Sequence, residues 1–141
     1  MMNWFWYAVA AAVLYGLHQI FTKLASARIS DGLGGFVVEG VAAATIALYL
    51  LFLWLSNNWN QKGDGTGVWY SALTGICVGA GTIAFFLLFQ KGGPLSAVPM
   101  ILAGGAAIMA IAGIVFFKEP ASVPRIVGIC LALAGLFLLR S

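Results

Sequence analysis

Charge is nearly missing from this chain: 8% of its 141 residues are Asp, Glu, Lys or Arg, against roughly a quarter in ordinary soluble domains. With 62% hydrophobic residues and a mean hydropathy of +1.03, it cannot fold as a water-soluble globule. Metal-binding residues are equally scarce. One histidine and two separated cysteines, Cys77 and Cys130, leave no ligand set at metal-binding spacing, and both cysteines fall in apolar runs where they read as small packing residues. No basic run exists either: the seven Lys and Arg are scattered singly, which excludes a nucleic-acid stripe despite the net charge of +3. The chain also lacks a nucleophile, base and orienting acid at plausible spacing and a phosphate loop, so neither an enzyme nor a cofactor is expected.

What remains is long hydrophobic runs. About 20 apolar residues cross a hydrocarbon core of roughly 30 Å, and five such segments fit, at about 4–22, 34–55, 68–89, 95–117 and 122–139. The expected fold is all-α, a single polytopic membrane domain of five helices. Trp4, Trp6 and Tyr7 read as an interfacial belt, and Lys23 as an anchor at the far end of the first span. Ala25-Ser26-Ala27 has the form of a signal-peptidase site, but the leading MMNWFWY has no basic region, so the first span is expected to be a membrane helix. Gly-Gly-Pro at 92–94 marks a turn with Pro94 suited to a helix start. The last span is short enough that its helix should begin within Ala121-Ser122-Val123-Pro124.

Five spans put the loops on alternating sides. Lys23, Arg28, Lys91 and Arg140 then share one side; Lys62, Lys118, Arg125 and the terminal amine share the other. The positive-inside rule orients a protein through an excess that is missing here, so insertion in both orientations is expected.

Polar groups inside the spans are the candidate site. Glu39 lies in GFVVEGVAAATIALYLL, and an intramembrane carboxylate is a functional candidate unless it simply reaches headgroup water. Helical spacing gives it a face with Gly35, Ala42, Ala43 and Ile46, with Val37, Val41, Leu48 and Phe52 opposite. His18 reaches a similar depth from the first span, on a stripe with Tyr7, Ala11, Tyr15, Thr22 and Ala25. Carboxylate and imidazole at one depth suit proton exchange or the holding of a cationic group, with His18 and Tyr15 as partners of Glu39. A histidine donating to a carbonyl and a tyrosine in an interhelical hydrogen bond are the plain alternatives. Small-residue patches recur at Gly75 and Gly79, at AGGAA including Gly104 and Gly105, and at Gly128, Ala132 and Gly135; they suit close helix approach, within one chain or between copies. Gln90 and Lys91 close the third span and could meet headgroups, as could Lys23.

KGGPLSAVPMILAGGAAIMAIAGIVFFKEPASVPRIVGICLALAGLFLL resembles the C-terminal part of EamA-type proteins of the drug/metabolite transporter superfamily, Gly113, Glu119, Gly128 and Gly135 matching its pattern. YGLHQIFTKLA is similar to the first-helix pattern ending in Lys, here Lys23. Such transporters carry two inverted five-helix repeats, and this chain is similar to one. The resemblance implies a secondary transporter of a small organic solute in the plasma (bacterial inner) membrane, the missing half supplied by an antiparallel second copy. A lipid-linked-sugar flippase subunit and a non-transporting accessory protein stay open. The chain also resembles the four-span small multidrug resistance proteins, but Tyr15 stands where they carry their carboxylate, and Val98 and Ile101 where they carry pocket aromatics. For Glu119, at a helix end, a capping role is expected.

Overall fold

A computed structural model describes residues 4–120 and 122–138, with side-chain surroundings undescribed at 125, 129, 132, 133 and 135–138. Arg140, counted among the loop charges, lies outside the described residues. The described chain is helical without strands: α1 (Trp4–Ser26), α2 (Asp31–Leu55), α3 (Gly65–Gln90), α4 (Val98–Val115) and α5 (Val123–Leu138). The first three helices and the stretch Leu95–Val115 are long and apolar enough to cross a membrane; α5 has 16 residues.

Local chemistry sets the helix ends. Asp64 caps α3, its carboxylate accepting from the Gly67 N–H at 2.7 Å. Asn57, at φ 55°, closes α2 with the Asn58 N–H reaching back to the Leu53 carbonyl, a left-handed cap that Asn tolerates well. Gly92 turns the chain after α3 at φ 85°. Pro94, extended at φ −76° and ψ 151°, precedes a 3-10 turn over Leu95–Ala97, and Pro99 occupies the first turn of α4, where its missing N–H costs nothing.

The chain forms two compact units, Met1–Gly92 and Gly93–Ser141. In the first, α2 runs antiparallel to α3: Ile29 meets Gln90, Gly34 meets Phe86, Gly35 meets Ile83, and Glu39 meets Thr82. α1 runs parallel to α3, with Lys23 Nζ lying 5.0 Å from the centroid of the Phe89 ring. Burial is confined to one end of this unit, at Gln19, Thr22 and Ser26 of α1, Gly34 and Gly35 of α2, and Thr82, Phe86 and Phe89 of α3. The other ends of the three helices bury nothing among the described residues, and their apolar side chains stand exposed as membrane-facing groups should. Cys77 and Cys130 are free and exposed.

In the second unit, α4 packs on α5, and the chain leaving α4 curls back on its last turn. Lys118 adopts φ 50°, and the Glu119 N–H donates to the Gly113 carbonyl at 3.1 Å. A Cβ at Gly113 would lie 3.1 Å from Glu119 Oε2. The glycine and the glutamate of the family pattern are therefore two halves of one fold-back.

Candidate functional site

The buried end of the first unit holds its buried polar side chains, Gln19, Thr22, Ser26 and Thr82. Glu39 sits eight residues past Asp31, about 12 Å along α2. It is half-buried, and its Oε1 accepts from the Thr82 hydroxyl of α3 at 2.6 Å, within the roughly 2.5–2.7 Å of hydroxyl-to-carboxylate bonds. Gly34 and Gly35, one turn nearer the α1–α2 connection, bring the two backbones close enough for this contact. A Cβ at Gly35 would lie 3.3 Å from Ile83 Cγ1. Glu39 and Gly35 thus share an interior face.

Thr82 was not among the expected residues. Its position is legible afterwards, since Gly75, Gly79, Thr82 and Phe86 are spaced for one face of α3; a hydroxyl in an apolar helix, on the face with the small residues, was the signal. No hydrogen bond or ion pair joins Glu39 to His18 or Tyr15. Those two rings instead meet each other edge to face at 6.5 Å, and Tyr15 is 68% exposed. The buried stripe of α1 is Gln19, Thr22 and Ser26; it shares Thr22 with the expected stripe but takes Gln19 and Ser26 in place of His18 and Ala25, so His18 stands half-buried at its margin.

Lys23 lies over Phe89, and Lys91 is the exposed C-cap of α3. Gln90 Nε2 donates to the Ile29 carbonyl at 2.9 Å, tying the end of α3 to the α1–α2 connection. Gln90→Leu should lower stability by about 0.5–1 kcal/mol, the low end for one hydrogen bond because the amide is exposed; the thermal midpoint of the purified protein in micelles checks this. At Gly75, Gly79, Gly104, Gly105 and Gly128 an added Cβ would meet nothing within 4 Å. Gly135 lies outside the residues whose surroundings are described. Among the described residues, no three His, Cys, Asp or Glu side chains are grouped to hold a metal ion.

Four helical stretches of membrane-crossing length and apolar character define a polytopic α-helical membrane protein. More particularly, the chain belongs to the EamA-like transporter family, whose model matches residues 2–141. Comparison with curated proteins and with solved structures finds no match.

Proposed function

We propose that this protein is a secondary transporter of a small organic solute, working by alternating access as an antiparallel pair of copies in the plasma membrane, with Glu39 as its proton-coupling group. The carrying observation is the Glu39 carboxylate, half-buried within an apolar helix and held by Thr82, in a chain of a transporter family. A carboxylate at membrane depth is costly to bury, and such groups characteristically mark substrate or proton pathways. The hydroxyl engages Oε1, which leaves Oε2 to take a proton or a cationic substrate group while Thr82 holds the carboxylate in place.

Pairing is supported by the balanced loop charges. It is supported too by the open space at Gly75, Gly79, Gly104, Gly105 and Gly128, where a second copy can approach closely.

The test uses proteoliposomes loaded with a pH-sensitive dye and a panel of organic cations, amino acids and sugars. At least one solute should drive proton movement through the wild type, and Glu39→Gln should reduce it at least tenfold. Proton movement with the same rate and pH dependence in Glu39→Gln would remove Glu39 from the coupling role. Tags at Ser141 should be reached from both sides of the membrane; access from one side alone would sink the antiparallel pair.

A further inference from the structure

Over its last two turns α1 turns polar side chains inward. Gln19, Thr22 and Ser26 are 7%, 2% and 6% exposed, while Leu14, Leu17, Phe21 and Leu24 face outward. Two hydroxyls of this stripe are satisfied by their own helix: Thr22 Oγ1 donates to the His18 carbonyl at 2.9 Å and Ser26 Oγ to the Lys23 carbonyl at 2.8 Å. Two enclosed atoms are left without any hydrogen-bond partner, Gln19 Oε1 and His18 Nδ1. The first is an acceptor only, and the second is an acceptor when the ring carries its proton on Nε2. Enclosed acceptors without donors are disfavoured and rare, and each calls for a group that brings the donor.

Their depth relates them to Glu39. The Lys23–Phe89 contact and the shared burial of Thr22, Ser26, Phe86 and Phe89 put the last turns of α1 and α3 at one end, so Gln19, a turn before Lys23, lies at about the depth of Phe85, a turn before Phe89. Thr82, which holds Glu39, is three residues further along, about 4.5 Å in rise. One negative group and two partnerless acceptors therefore lie within about one helical turn of each other in depth, at the one end of the unit that is buried.

We infer that His18 and Gln19 are the recognition half of a site for a small organic cation bearing N–H donors, a primary alkylammonium: Gln19 Oε1 and His18 Nδ1 accept its N–H groups while Glu39 supplies the opposite charge. This rests on the transport reading above and names its substrate class. A quaternary ammonium carries the charge but leaves both acceptors unpaired; a neutral polyol brings donors but no charge. A site built to receive N–H groups rejects analogues that lack them.

Purified full-length protein in micelles is heated with propylammonium chloride or tetramethylammonium chloride at equal concentration, since a ligand of the folded state raises the midpoint. Propylammonium at a hundredfold excess over its Kd should raise Tm by roughly 5–10 °C, and tetramethylammonium should not. Gln19→Met, similar in length but without the amide, should melt no lower than wild type without ligand, because no partner of Oε1 is lost. It should lose more than half of the propylammonium shift, and Gln19→Glu, which keeps the acceptor, should retain it. Equal shifts with both cations, no shift with either, or a shift that Gln19→Met keeps in full would overturn the assignment. Should Gln19→Met not fold, loss of the shift in Gln19→Glu overturns it instead. Proton movement driven by other solutes without a propylammonium shift would remove the substrate class and leave the transporter standing. A propylammonium shift in a protein that no solute drives to move protons would do the reverse.

Discussion

Gly34→Ala should prise α2 away from α3 and lower the stability of the first unit by about 1–3 kcal/mol or more, the range for overpacking a filled interior. The added methyl would lie 2.6 Å from Cζ and 2.9 Å from Cδ1 of Phe86, and closer still to Cε1. Phe86 is fully buried, at 0% exposure, so its ring has no free space into which to swing. The backbones must part, and that motion also lengthens the Glu39–Thr82 hydrogen bond further along the same contact. Gly40 is the control. It lies six residues on in the same helix with nothing within 4 Å of an added Cβ, so Gly40→Ala should stabilise by about 0.5–1 kcal/mol through helix propensity alone. Opposite signs in the thermal midpoints of the two variants are the expected result. Phe86→Leu should recover part of the loss in the Gly34→Ala background, and a double variant no better than the single would count against the ring as the cause.

The second large effect is expected at the polar pair. Thr82→Val keeps the shape of the side chain and removes the hydroxyl, leaving a half-buried carboxylate without its donor. Hydrogen bonds to charged groups are worth about 1.5–3 kcal/mol, and breaking one from the donor side exposes the full desolvation penalty of the acceptor. Glu39→Leu should be milder in stability, because it removes the polar group along with the need for a partner. A double-mutant cycle over Thr82→Val and Glu39→Leu should give a coupling of about 1.5 kcal/mol or more. Additive effects would mean that the 2.6 Å contact contributes no net energy. In transport, Thr82→Val should slow coupled uptake without abolishing it, whereas Glu39→Gln should abolish the coupling. That difference separates a residue that positions the carboxylate from the carboxylate itself.

The Gly113–Glu119 fold-back shows how a weak sequence pattern acquires a physical meaning. In the sequence the two residues are separate matches to a family pattern, six positions apart. In the structure the Glu119 N–H closes on the Gly113 carbonyl, and the Glu119 carboxylate lies where a side chain at position 113 would be. The glycine leaves the room that the glutamate side chain takes up.

Scarce charge and five unbroken apolar runs determined that the chain is an all-helical membrane protein, because a run of about 20 apolar residues crosses lipid as a helix that satisfies its own backbone, whereas barrel strands are about 10 residues long and alternate in polarity. Helical periodicity put Glu39 on a face with Gly35, since spacing along one helix follows from its own geometry. Which neighbour that face would meet was beyond periodicity. Gly75 and Gly79 carry the more obvious small-residue spacing, yet the tight approach falls at Gly34 and Gly35, against Phe86, Ile83 and Thr82. Small residues permit contact anywhere they occur, and only the register between helices decides where it is made. The same register gave Glu39 a threonine instead of the histidine at similar depth, and turned Gln19 inward in place of Tyr15.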